Sequence, residues 1–153
     1  GRDEGFATGF EEMMMHAGLF DNRPQARELV WILLAQRAAR ALGGLYQHGG
    51  VMTLEEATKF ADKWTPRGYL PWDGSTIQHE QHFYLRQPAY GTSYVIGKLE
   101  VERLFAEYAR EKGDAFSLYD FMDEFNKAGM IPVSLMNWEM NNIDSDIQQI
   151  MGQ

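Results

Sequence analysis

The chain has 153 residues, 44% of them hydrophobic, and a formal charge of -8 from 22 acidic and 14 basic side chains. That composition gives a folded domain with a real core, and without a cluster of Lys and Arg it sets aside nucleic acid and anionic membrane as partners. The absence of cysteine removes disulfides, thiolate metal sites and a cysteine nucleophile while leaving the compartment open.

The longest uninterrupted apolar run, residues 29–35, is far below the ~20 residues of a transmembrane helix. No signal peptide is visible. In chain order, the first helix is expected over residues 3–17, with Phe6, Phe10, Met13 and Met14 as its apolar face and Gly18 as its stop. Met13, Met14 and Met15 read most simply as core plus one exposed side chain. Asp21-Asn22-Arg23-Pro24 is a turn and helix start, with Asn22 or Asp21 as the cap. The second helix continues to about Tyr46. Its run 29–34 is apolar all round, which predicts a central buried helix. Thr53-Leu-Glu-Glu56 has the form of a capping box, in which hydroxyl and carboxylate each satisfy a free N–H. The helix it opens ends near Trp64. Residues 65–75 carry Pro66, Gly68, Pro71 and Asp73-Gly74 and read as an ordered loop pinned by Tyr69, Leu70 and Trp72. A short helix then runs from Ser75 or Thr76 to about Gln87, before Pro88.

The stretch 86–108 organises the rest. At helical spacing Tyr90, Tyr94, Gly97, Val101, Leu104, Phe105 and Tyr108 share one face, while Val95, Ile96 and Leu99 fall outside it. Such a helix is packed between others. Pro88 suits its start and Gly113 its stop. Gly97 weakens the helix and so points to a close crossing or a ligand. Further on, Ser117 is a cap, and Phe116 and Phe121 stand at the positions of a hydrophobic staple. Gly129 ends that helix, Pro132 starts another to about Asn141, and Asp144 or Ser145 opens a last turn to Met151. No alternating strand pattern and no internal repeat is present. The fold class is all-α: a single-domain bundle of six to eight helices spanning 1–153.

Residues for chemistry are sparse. His79-Glu80-Gln81-His82 resembles a metal motif, but the histidines stand at i and i+3 where a zincin helix needs i and i+4; an exposed polar face is the ordinary reading. His16 and His48 are isolated. Thr92 and Ser93 have no adjacent base. Tyr84, Tyr90 and Tyr94 form a stripe that is either core or the lining of a pocket, where phenols donate to a developing oxyanion.

Longer segments carry a resemblance. Glu80-Gln-His-Phe-Tyr84 and Gln87-Pro-Ala-Tyr-Gly-Thr-Ser-Tyr94-Val-Ile-Gly97 resemble the Glu-x-x-Arg-Tyr and Pro-Gly-Gln-Ala-x-Ser-Tyr-x-x-Gly segments of the bacterial family called domain of unknown function 885. Glu4-Gly-Phe-Ala7 with Glu11 is similar to its Glu-Gly-Trp-Ala segment and later Glu. Arg40 and His48, followed by Val51-Met-Thr53 and Glu55-Glu-Ala57, are similar to its Arg and His before a Gly-Trp-Thr turn. Phe116-Ser-Leu-Tyr-Asp-Phe121 and Gly129-Met-Ile-Pro-Val133 resemble its closing segments. The order is kept along nearly the whole chain.

The resemblance implies a relation to gluzincin-type zinc metallopeptidases, in which a His-Glu-x-x-x-His-like segment upstream and the Glu of Glu-Gly-Trp hold the metal. Carried over, Glu4 is the candidate metal ligand, and Tyr84 and Tyr94 are candidate catalytic donors to the transition state. Peptide-like molecules are then the implied substrates, and zinc the implied cofactor of the family. The upstream zinc segment is absent here, the family Arg before Tyr84 is Phe83, its Asp-x-Gly before the His is lost, its Trp is Phe6, and its Phe-His is Phe121-Met122. The expectation is therefore the C-terminal part of such a protein, without metal or peptidase activity by itself. A helical scaffold or interaction module that has lost the site is the alternative. Exported members of the family are common, but nothing in these residues fixes the compartment. If an upstream half is missing, Phe6, Phe10, Met14 and parts of the run 29–34 are left uncovered, which predicts a homodimer through the N-terminal helices.

Overall fold

The computed structural model describes residues 1–152 and is helical throughout, as expected, with no strand among the described residues. Its elements are α1 (Arg2–His16), α2 (Pro24–His48), α3 (Leu54–Trp64), α4 (Ser75–Arg86), α5 (Thr92–Lys112), α6 (Leu118–Lys127), α7 (Val133–Asn141) and α8 (Ser145–Met151). Two of the expected caps form. The Thr53 side chain accepts from the Glu56 N–H, and the Glu56 carboxylate accepts from the Thr53 N–H at 2.8 Å. Ser117 accepts from the Asp120 N–H, and Phe116 and Phe121 pack into one cluster. Gly113 and Gly129 end their helices at positive φ, a conformation that costs a residue without Cβ little.

Local expectations fail at two helix starts. α2 has Arg23 at its cap, with no side-chain bond from Asn22 or Asp21; the Asp21 carboxylate instead accepts from Arg27 at 2.8 Å. α5 begins at Thr92 rather than at Pro88. Ala89 sits at φ 62, and successive turns bond Tyr90 to Gln87, Thr92 to Ala89 and Ser93 to Tyr90 before the helix is established. Of the three side chains expected to pin the loop before α4, only Leu70 is buried; Tyr69 and Trp72 are exposed.

α5 is the centre of the packing, in contact with α1, α2 and α7. Its lower half, Val101, Leu104 and Tyr108, joins Phe121 and Phe125 of α6 and Val133 and Met136 of α7 in the larger apolar cluster. Burial and a hydrogen bond to Glu124 push the Tyr108 phenol up to about 12. A second, smaller cluster joins Ala39 of α2, Ala61 of α3, Leu70 of the loop before α4 and Ile77 of α4.

The apolar faces of α1 and α2 differ from expectation. α1 buries Gly5, Thr8, Gly9 and Met15, whereas Phe10 is exposed and Phe6 only partly covered by Phe125, at 4.9 Å between ring centroids. The reason is a close crossing. A Cβ at Gly5 would lie 2.2 Å from the Gly97 carbonyl carbon, and one at Gly97 would lie 3.0 Å from Gly5 Cα. Backbones in contact leave no room for large side chains between them. The 29–34 run of α2 is likewise not surrounded: Val30 and Ile32 are buried, but Trp31 faces solvent.

Candidate functional site

The α1–α5 crossing fixes the first turn of α1 beside the start of α5, and this determines the surroundings of Glu4. Tyr90, in the turns before α5, donates its hydroxyl to Glu4 Oε1 at 2.5 Å. That hydrogen bond pushes the Tyr90 phenol upward, because ionising it would put a second anion against the carboxylate. Tyr94 lies one turn further on, its ring 6.0 Å from that of Tyr90. Burial, then the negative charges of Glu4 and Glu80, raise its phenol as well, with Arg40 offsetting part of the effect. Both hydroxyls therefore stay protonated, and remain donors, at neutral pH.

Two arginines from α2 approach the Tyr94 ring, Arg37 at 5.8 Å and Arg40 at 5.7 Å from its centroid. Each is held by a carboxylate from another helix. Arg37 makes a two-pronged contact with Glu11 of α1 at 2.6 and 2.8 Å, which raises its pKa further. Arg40 pairs with Glu80 of α4 at 2.8 Å, and only 9% of the Arg40 side chain is exposed. Lys98, on the other side of the crossing, reaches Glu12 at 2.9 Å and Glu102 at 2.5 Å; burial opposes its charge, but the two hydrogen bonds outweigh it and the pKa rises. α1, α2, α4 and α5 are thus tied by charge pairs around two phenols and one carboxylate. Glu4 and Tyr90 also line a cleft of about 480 Å³, together with Arg2, Pro88, Ser93 and Pro132.

The structure brings Glu4, Tyr90 and Tyr94 together, with Tyr84 directly behind them, its ring 6.0 Å from that of Tyr90. The Tyr84 side chain is enclosed, its ring edge against Gly44, and its hydroxyl, shut off from solvent, has no hydrogen-bond partner. Burial accordingly drives its phenol up. His48 uses Nε2 against the Tyr84 carbonyl oxygen at 2.8 Å; a carbonyl only accepts, so Nε2 carries the hydrogen. His79 and His82 are exposed, with His79 stacked on Phe83. No group of three or more potential metal-binding His, Asp or Glu side chains exists among the described residues. A zinc centre takes three or four protein ligands, and Glu4 with two phenols does not complete one.

Sequence reasoning missed the part played by Arg37, Glu11 and Glu80. The available signal was two arginines at i and i+3 directly after an apolar run, since charge on the buried side of a helix requires a partner. Comparison with known proteins gives one result. The family model described as bacterial protein of unknown function, DUF885, matches residues 1–140. No curated protein and no solved structure matches significantly. With the match spanning α1 to α7, and the motif positions Glu4, Arg40, Tyr84 and Tyr94 all inside it, the chain belongs to the DUF885 family.

Proposed function

We propose that the Glu4–Tyr90–Tyr94 cluster is one wall of a site for peptide-like substrates in a metallopeptidase-like hydrolase, incomplete in these residues. The observation that carries this reading is a carboxylate held by a phenol at a cleft, with a second phenol packed behind the first and two arginines of α2 at 5.8 and 5.7 Å from its ring centroid. The family resemblance independently names Glu4 as ligand and Tyr84 and Tyr94 as candidate donors. Their chemistry suits the task. A protonated phenol donates to an oxygen on which negative charge develops, and the Arg37–Glu11 and Arg40–Glu80 pairs hold Tyr94 in place for it. Tyr84, its hydroxyl enclosed, backs the cluster through its ring against Tyr90. The described residues do not complete a zinc centre.

A titration of the isotopically labelled chain with unblocked tetra-alanine, followed by amide NMR, tests the reading. Shifts are expected in the first turn of α1 and at residues 88–94, weakened by Tyr94→Phe, with no turnover. Shifts confined to other surfaces, or none at millimolar peptide, overturn it. Hydrolysis by residues 1–153 with added zinc overturns the claim of incompleteness. The second reading, a helical interaction module, is favoured by the enclosed Tyr84 hydroxyl; it expects no peptide binding at the cleft.

A further inference from the structure

The outer face of α2 carries a pattern that the rest of the chain does not use. Trp31, Ala35, Ala38, Leu42 and Leu45 follow one another at steps of four, three, four and three. That is the seam spacing of paired helices, in which side chains of one helix enter gaps of the other. Trp31, Leu42 and Leu45 are each 45% exposed, and the adjoining Tyr46 and Trp64 are 38% and 58% exposed. Beside the two alanines lies an apolar groove of about 520 Å³, walled by Leu42, Tyr46, Phe60 and Trp64. No Asp, Glu, Lys or Arg interrupts the five positions.

We propose that this face pairs with the same face of a second copy of the chain, the two α2 helices antiparallel about a two-fold axis at Ala38. The order of sizes along the seam is what singles out a second copy. With Ala38 on the axis, Leu42 of each protomer meets Ala35 of the other, and Trp31 meets Leu45, so large side chains fall opposite small ones along the middle of the seam. A two-fold axis places one patch against itself, as symmetric dimers require. Alanine at the centre lets the helices approach to the short end of the 8–10 Å range. The area suffices. Taking ~200–250 Å² for a whole Trp or Tyr and somewhat less for Leu, the five exposed fractions amount to roughly 500 Å² per protomer and about 1,000 Å² per pair, the lower bound for a specific interface. A weak, concentration-dependent dimer is the consequence.

The absence of native cysteine makes the test direct. Ala38→Cys places the only thiol of each protomer on the axis. Under mild oxidation it is expected to form a disulfide dimer at least ten times faster than Ala115→Cys, whose exposed site lies outside α2. Sedimentation equilibrium of the unaltered chain should show the mass rising from 17.6 kDa towards twice that value between low and high micromolar concentration. Ala38→Glu should abolish the rise while leaving the helical circular dichroism unchanged. Equal cross-linking at both sites, a monomer at every concentration, or a dimer that survives Ala38→Glu overturns the proposal.

Discussion

Replacing Gly5 by alanine sets two effects of opposite sign against each other, and the structure decides which wins. In an open helix interior the change is favourable by about 1 kcal/mol, because alanine restricts the unfolded chain. At Gly5 the new Cβ would sit 2.2 Å from the Gly97 carbonyl carbon and 2.5 Å from its Cα and oxygen, where ordinary contact begins at 3.4 Å. The obstacle is backbone, so no rotamer relieves it, and α1 must lift by roughly 1 Å. A gap of that size forfeits a quarter to a half of the dispersion energy at each contact it opens. Overpacking of this kind costs about 1–3 kcal/mol and more when backbone is in the way, so Gly5→Ala is expected to lose about 2–4 kcal/mol net. Gly9→Ala is the control, since its Cβ would meet only Lys98 Cγ at 3.6 Å; it should be neutral or stabilising by up to ~1 kcal/mol. Urea unfolding followed by circular dichroism at 222 nm measures both. Equal midpoints for the two variants would refute the crossing as the organising contact. Lifting α1 also lengthens the adjacent Tyr90–Glu4 hydrogen bond, so Tyr90 in Gly5→Ala should ionise at lower pH than in the parent.

Two more expectations follow from the charge pairs and phenols. Glu80→Ala strands the nearly enclosed Arg40 without its carboxylate and should cost about 3 kcal/mol in the same unfolding assay, whereas Lys127→Ala, which removes an exposed pair with Asp123, should produce no measurable change. On the alkaline side, Tyr84, Tyr90, Tyr94 and Tyr108 all have phenols raised in the fold. Their protonated forms are favoured in the folded state, so the stability they contribute is complete below the ordinary phenol pKa of ~10 and is lost as pH rises above it. Absorbance of phenolate at 295 nm should therefore show a late step coincident with loss of helix; ionisation of all seven tyrosines in one step near pH 10 would contradict this.

What could be read in the sequence was governed by short range. The Thr53–Glu56 box, the Ser117 cap and the Gly113 stop need only neighbours within one turn, and each forms. Gly97 was legible as a close crossing or a ligand contact because glycine inside a helix is costly without a reason, and the structure shows the crossing. Its partner was not legible, since Gly5 stands 92 residues away and nothing local distinguishes it from Gly9. Counting large apolar residues misassigned the buried face of α1, because a crossing of backbones selects the smallest side chains rather than the most hydrophobic. The site shows the same limit. Glu4, Tyr84 and Tyr94 emerged from motif positions, but the bonding of Tyr90 to Glu4 and the approach of Arg37 and Arg40 to the Tyr94 ring depend on four helices meeting.

The larger apolar cluster draws on the lower half of α5, whereas the smaller one lies among α2, α3, α4 and the loop before α4 and includes no residue of α5. A fold divided in this way opens in parts rather than all at once. The half containing α3 and α4 has the smaller apolar cluster and is expected to open at lower free energy, while the phenylalanine-rich half with α6 and α7 persists. Because Arg40 and Glu80 belong to the weaker half and Glu4 is anchored to α5, every such opening takes one side of the cluster away from the other. The lifetime of the assembled site is therefore set by the less stable half of the molecule, and ordering of that half by any bound partner would lengthen it.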